Sequence, residues 1–104
     1  MSDVTELHRA LTARILGGNG HAPAALRRAA FDNAELAEPV RTLIDKVAHH
    51  AHQVTDEDVA AVRAAGLSED QVFEIVVCAA VGQASRQYES ALAALTDATQ
   101  GGKR

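Results

Sequence analysis

Apolar residues recur at helical spacing along the whole chain, and nowhere does an alternating run sit between turn signals. Val4, Leu7, Leu11 and Ile15 share one face of a first predicted helix over about residues 3–16. Gly17-Gly-Asn-Gly20, residues tolerant of positive φ, are expected to end it. Pro23 suits the first turn of a second helix carrying Leu26, Ala29, Ala30 and Phe31, and Asp32-Asn33 breaks that run. Pro39 opens a third helix that runs to about Gln53, with Val40, Leu43, Ile44, Val47, Ala51 and Val54 on one face. Thr55 can cap a fourth helix, with Asp58 at the capping-box position and Gly66 as its stop. Ser68, followed three residues later by Gln71, matches a second capping box. It starts a fifth helix that continues to about Ala98, and residues 99–104 are expected to form a frayed tail.

The fifth helix differs from the rest. Between Val72 and Ala84 apolar residues occur all round it, broken by Glu74, Gly82 and Gln83. A helix apolar on every side is normally central or buried between subunits. Composition sharpens this. The chain is 47% hydrophobic, but 22 of its 104 residues are alanine and only three are aromatic. A buried alanine contributes far less than the ~1.5–3 kcal/mol of a buried Leu or Phe. Residues 1–104 therefore predict a single all-α domain with a thin core, completed by self-association. Small residues at Ala79, Ala80, Gly82, Ala84, Ala91 and Ala94 would admit a close neighbour.

Charge and cysteine content remove several function classes. Net charge is −4, and the excess acid lies wholly in residues 55–104, with eight acidic against four basic side chains. That argues against nucleic acid and against an anionic membrane surface. The longest apolar run, Ile75 to Gly82, is too short for a bilayer, which needs about 20 residues. No basic-then-apolar leader is present, so a soluble cytoplasmic protein is expected. One cysteine, Cys78, excludes an internal disulfide and any dithiol motif.

Three segments carry a resemblance. They are Val54-Thr-Asp-Glu-Asp-Val59, Ala64-Ala-Gly-Leu-Ser-Glu-Asp70 and Val72-Phe-Glu-Ile-Val-Val-Cys-Ala-Ala80. Over about residues 36–98 the chain resembles the carboxymuconolactone decarboxylase and alkylhydroperoxidase D-like family. The resemblance implies an alkylhydroperoxidase D-like helical fold that assembles into trimers or hexamers, with sites near subunit contacts. The peroxidase branch carries Cys-x-x-Cys and a following histidine on the helix before the glycine turn. Counting back from Gly66 puts those thiols at Ala51 and Val54 and the histidine at Asp58, with an upstream glutamate within a residue of Glu38. A dithiol peroxidase needs an attacking and a resolving thiol. Neither is here, so this would be a member without the peroxidatic dithiol, and no cofactor is expected.

Candidate chemistry is sparse. Asp45, His49 and His52 share an outer helical face at i, i+4 and i+7, a weak metal set that reads equally as solvent-facing. His50 lies near the border of the apolar face, where it could act as acid or base or as a hydrogen-bonded boundary residue. Glu74 and Cys78 stand four apart on one stripe with Ser85 further along, a setting that would suppress both ionisations. Cys78 reads as a small core residue. Glu74 needs a partner, which Arg86, Arg63 or another subunit could supply, or else belongs to a ligand pocket. Gln83, Arg86 and Tyr88 could meet a small organic acid, with Arg86 as the anion-binding group. They also fit a helix turning amphipathic as it leaves the core. Arg27-Arg28 reads as a solvated face. Two functions follow: an oligomeric non-redox or non-catalytic family-like protein, able to bind a small ligand, or a small-acid lyase or isomerase moving protons through His50, Glu74 and Arg86 at a subunit-interface pocket. The second requires those residues to share a water-accessible cavity.

Overall fold

A computed structural model describes residues 2–101. Among these the chain forms five α-helices and no strand: α1 (Ser2–Gly17), α2 (Ala24–Asp32), α3 (Val40–His49), α4 (Asp56–Ala64) and α5 (Glu69–Gly101). One turn of 3-10 helix, Ala51–Gln53, joins α3 to α4. Residues 102–104 of the expected tail, and the side chain of Val4, lie outside the described residues. No described helix is long and apolar enough to cross a membrane.

Both predicted capping boxes form. Thr55 Oγ1 accepts from the Asp58 amide at 3.2 Å while the Asp58 carboxylate accepts from the Thr55 amide at 2.9 Å. Ser68 and Gln71 make the same reciprocal pair, at 3.1 and 2.8 Å. Each box satisfies two amides that a helix start leaves without partners. Asp58 also binds Lys46 Nζ at 2.8 Å, tying α4 to α3, and this cation holds its carboxyl below the ordinary range. Gly66, with φ of +113°, closes α4 as expected. Glu38 accepts from the amide and hydroxyl of Thr42 and covers the start of α3.

Three boundaries differ from the sequence expectation. α3 stops at His49, because His50 leaves the helical region and the 3-10 turn follows. α5 is longer, with residues 99–101 still helical. Positive φ plays no part at Gly17, Gly18 or Gly20. The end of α1 is instead held from α2. Arg27 Nη1 donates to the carbonyls of Ile15 and Gly18 at 3.1 and 2.8 Å, and its Nε donates to Ala22 O at 3.2 Å. Arg27 is therefore buried, contrary to its expected place on a solvated face. Its five N–H donors let one side chain satisfy several orphan carbonyls.

The core gathers α2, α3 and α4 around the first half of α5. Leu43, Ile44, Val62, Ile75 and Cys78 are the largest fully buried side chains. Each buried aliphatic contributes about 1.5–3 kcal/mol. α5 runs closest to α2, where Ala30 and Ala79 are fully buried and Gly82 lies against the backbone of Phe31. A Cβ at position 82 would overlap the Phe31 carbonyl. The all-round apolar stretch of α5 divides accordingly: Val72, Ile75, Cys78 and Ala79 are buried, Val76, Val77 and Val81 half-buried, and Phe73 is 69% exposed.

Gly82→Ala should force α2 and α5 apart and destabilise the fold by about 1–3 kcal/mol. Thermal or urea denaturation followed by circular dichroism reads this directly, and an unchanged midpoint would mean the two helices are less tightly coupled than described.

Candidate functional site

Glu74 projects from the first half of α5 onto the loop that leads into α2. Its Oε1 accepts the Ala22 amide at 2.8 Å and the His21 amide at 2.9 Å. Its Oε2 accepts the His21 amide at 2.8 Å and faces His21 Nδ1 at 2.9 Å. Gln71, one turn earlier, donates to the His21 carbonyl at 2.9 Å. Gly20 allows this contact, since a Cβ there would lie 2.7 Å from Glu74 Oε1. The loop sequence favours such an arrangement because α2 has no acid in its first turn and no side-chain cap of its own. Successive amides facing one way form a small anion-binding nest, and a carboxylate from a distant helix fills it.

The electrostatics follow from this geometry. The amides of Ala22 and His21, opposed by burial, hold the Glu74 carboxyl down to about 2 from an ordinary 4.5. Its hydrogen bond to His21, with the nearby Asp70, raises the imidazole above 6.5. The expected suppression of Glu74 ionisation is therefore reversed, because backbone donors outweigh burial. For Cys78 it holds: burial raises the thiol, the Arg27 charge opposes this and Glu74 adds to it. The partner of Glu74 is His21 and its loop, in place of Arg86 or Arg63. Arg63 instead lies 3.9 Å from Glu69.

Arg86 has a matching task at the other end of α2. Its Nη1 donates to the Phe31 carbonyl at 2.7 Å and its Nη2 to Gln83 Oε1 at 3.0 Å. Phe31 carries one of the last carbonyls of α2, which the helix itself leaves unpaired. The guanidinium thus caps a helix C-terminus, where a cation is favoured by the dipole. His50 is exposed where α3 ends, its ring edge-on to His52 with centroids 6.4 Å apart. Among the described residues no hydrogen bond or ion pair joins any two of His50, Glu74 and Arg86.

Asp45 and His49 do approach, at 3.9 Å, with Asn33 bonded between them. His52 sits in the 3-10 turn, so the i+7 spacing that assumed a continuous helix does not apply. Among the described residues no group of three or more His, Cys, Asp or Glu side chains is placed to hold a metal ion.

Two of the cavities beside α1 also reach α5. A small one of about 180 Å³ is lined by Glu74, Cys78, Arg14 and Phe73 among others. A larger one of about 680 Å³ lies between α1, α2 and the second half of α5, lined by His8, Arg9, Phe31, Ser85 and Tyr88. Sequence reasoning did not single out His8, Arg9 or His21. The spacing of the two histidines carries no signal, because their partners lie 50 or more residues away, and Arg9 gains its place only when α1 packs beside α2 and α5. Compared with known proteins, the chain matches no family model, no curated protein and no solved structure. Its chemistry rests on these side chains.

Glu74→Gln should destabilise the fold by about 1–3 kcal/mol, since an amide cannot accept at both of its terminal atoms. The Glu74 contribution is present above 4.5 and lost as pH falls toward about 2. The contribution of His21 is present below 6.5 and lost as pH rises through its raised value. The difference in melting temperature between wild type and variant should therefore peak between these limits, which a pH series of thermal melts would show. Cys78, buried and with its thiolate disfavoured, should react with a disulfide reagent such as Ellman's only at the rate of unfolding.

Proposed function

We propose that this chain is an oligomeric, non-redox or non-catalytic cytoplasmic protein of the carboxymuconolactone decarboxylase and alkylhydroperoxidase D-like kind, whose working form is a homo-oligomer. The observation that carries this is the exposed last third of α5. Every residue from Glu89 to Gln100 is exposed, including Leu95 at 63%. A helical segment of that length is marginal in water by itself and draws its stability from packing. Tyr88, Leu92, Leu95 and Thr99 follow a 4-3-4 spacing, the seam spacing by which one helix packs on another.

A second copy is the occupant with matching chemistry. α1 exposes Leu7 and Leu11, at 72% and 49%, beside Arg14. The end of α5 exposes Leu92 and Leu95, with Glu89 beside Leu92. Apolar stripe meets apolar stripe, and basic flank meets acidic flank, when α1 of one protomer lies on α5 of another. The family resemblance of residues 36–98 points the same way and implies three or six copies. Proton-transfer chemistry on a small acid has less support. Glu74 is an anion held by fixed donors, Arg86 caps α2, and His50 stands exposed at the end of α3.

Sedimentation velocity or light scattering should give a mass several times that of the 10.9 kDa chain at micromolar concentration. Leu95→Glu, and separately Leu7→Glu with Leu11→Glu, should shift the protein to monomer with helix content retained. A wild-type chain that is monomeric at about 100 μM would overturn the proposal, being weaker than the association range of stable interfaces.

A further inference from the structure

We infer that the cleft between α1, α2 and the second half of α5 binds an amphipathic organic anion, an alkyl or aromatic body bearing one carboxylate. Its volume of about 680 Å³ falls in the range of small-molecule sites, about 300–1,000 Å³. Ala13, Leu16, Phe31 and Leu92 supply apolar wall from three helices. The body of the ligand would lie there.

The charge at the cleft runs against that of the molecule. The chain carries −4 overall, yet Arg9 and Arg28 line this cleft and Glu89 is the one acid among its lining residues. Arg28 is held in place, with its Nε 3.2 Å from Asp32 and its guanidinium carbon 5.9 Å from the centre of the Phe31 ring. Arg9 makes no ion pair with any described residue. A carboxylate matches the fork geometry of a guanidinium, while a ligand cation would face two like charges.

The polar groups inside the cleft favour binding over covalent chemistry. Ser85 Oγ donates its single hydrogen to the Val81 carbonyl at 2.7 Å. The contact of 2.9 Å between Ser85 Oγ and His8 Nε2 therefore runs from the imidazole to the hydroxyl. No base takes the serine proton, so Ser85 is not arranged as a nucleophile. This bond, with the Tyr88 ring stacked on His8 at 5.6 Å, fixes the imidazole as a rigid part of the wall. Thr12 Oγ1 and the Tyr88 hydroxyl are buried in the same wall without hydrogen-bond partners. Both oxygens are closed off from the cleft by their neighbours and offer no contact to a ligand there. All the lining residues belong to one protomer, and Tyr88, Glu89 and Leu92 also lie along the proposed subunit seam, so the inference rests on an assembly that leaves the cleft open.

Isothermal titration calorimetry of the full chain with decanoate and with 1-naphthaleneacetate tests this, with 1-naphthaleneacetamide as the neutral twin. Both carboxylates should bind at one site per protomer, and the amide at least about fivefold more weakly than its acid. Arg9→Gln, at an exposed position, should weaken the acid by about the same factor and leave the amide unchanged. Leu95→Glu should retain binding even where it abolishes self-association, which separates failure of this site from failure of the oligomer. The assignment is overturned by no saturable binding of either carboxylate up to 1 mM, by equal affinity for acid and amide, or by loss of binding in the monomeric variant. Absence of binding in the wild type together with recovery in the Leu95→Glu protein would also overturn it, since the cleft would then be filled by a neighbouring chain.

Discussion

The contact between α2 and α5 is the constraint on which the rest of the molecule depends. Gly82 lets the two backbones meet at Phe31, and charged side chains of α5 bracket α2 on either side of that point. Glu74 and Arg86 stand twelve residues apart, which spans ~18 Å of helix. That distance matches α2 and the loop before it. The carboxylate meets the amides ahead of the helix start, and the guanidinium meets a carbonyl at its end. Both signs agree with the helix dipole. A nine-residue helix has little stability of its own, so it is held by its neighbours. Arg27 extends the same logic, fastening the end of α1 to α2 through the carbonyls of Ile15 and Gly18.

This explains why the residues that look most chemical do structural work. A carboxylate on an apolar stripe ordinarily needs a partner, and here backbone amides supply it, so Glu74 stays ionised far below its ordinary range. A base held that firmly has little affinity for a proton at neutral pH. Cys78 lies nearby but is buried, with no second thiol in the chain to resolve it. The roomier cavity lies on the other side of α1, lined by His8, Arg9 and Tyr88.

α5 serves two different purposes along its length. Its first half is the hub of the core, and its last third extends away from the other helices, which gives the chain an extent of 57 Å against 29 and 21 Å. Ala79 and Gly82 are the small residues of the first half that permit the close crossing of α2. The exposed leucines of the second half are what the proposed assembly would cover.

Helix number, both capping boxes, the glycine stop at Gly66 and the burial of Cys78 were legible in the sequence, because each depends on residues within a few positions of one another. Helical periodicity and capping are local physics. The end of α3 at His49 was less legible, since apolar spacing carries through a 3-10 turn almost unchanged. Three assignments depended on tertiary structure. Glu74 found its donors 52 and 53 residues away, Arg86 its acceptor 55 residues away, and Arg27 was buried by the carbonyls of a helix it does not belong to. A charged side chain has no periodicity to reveal its partner. Whether it faces water or an unpaired backbone group is decided only when distant helices pack and bring that group within about 3 Å.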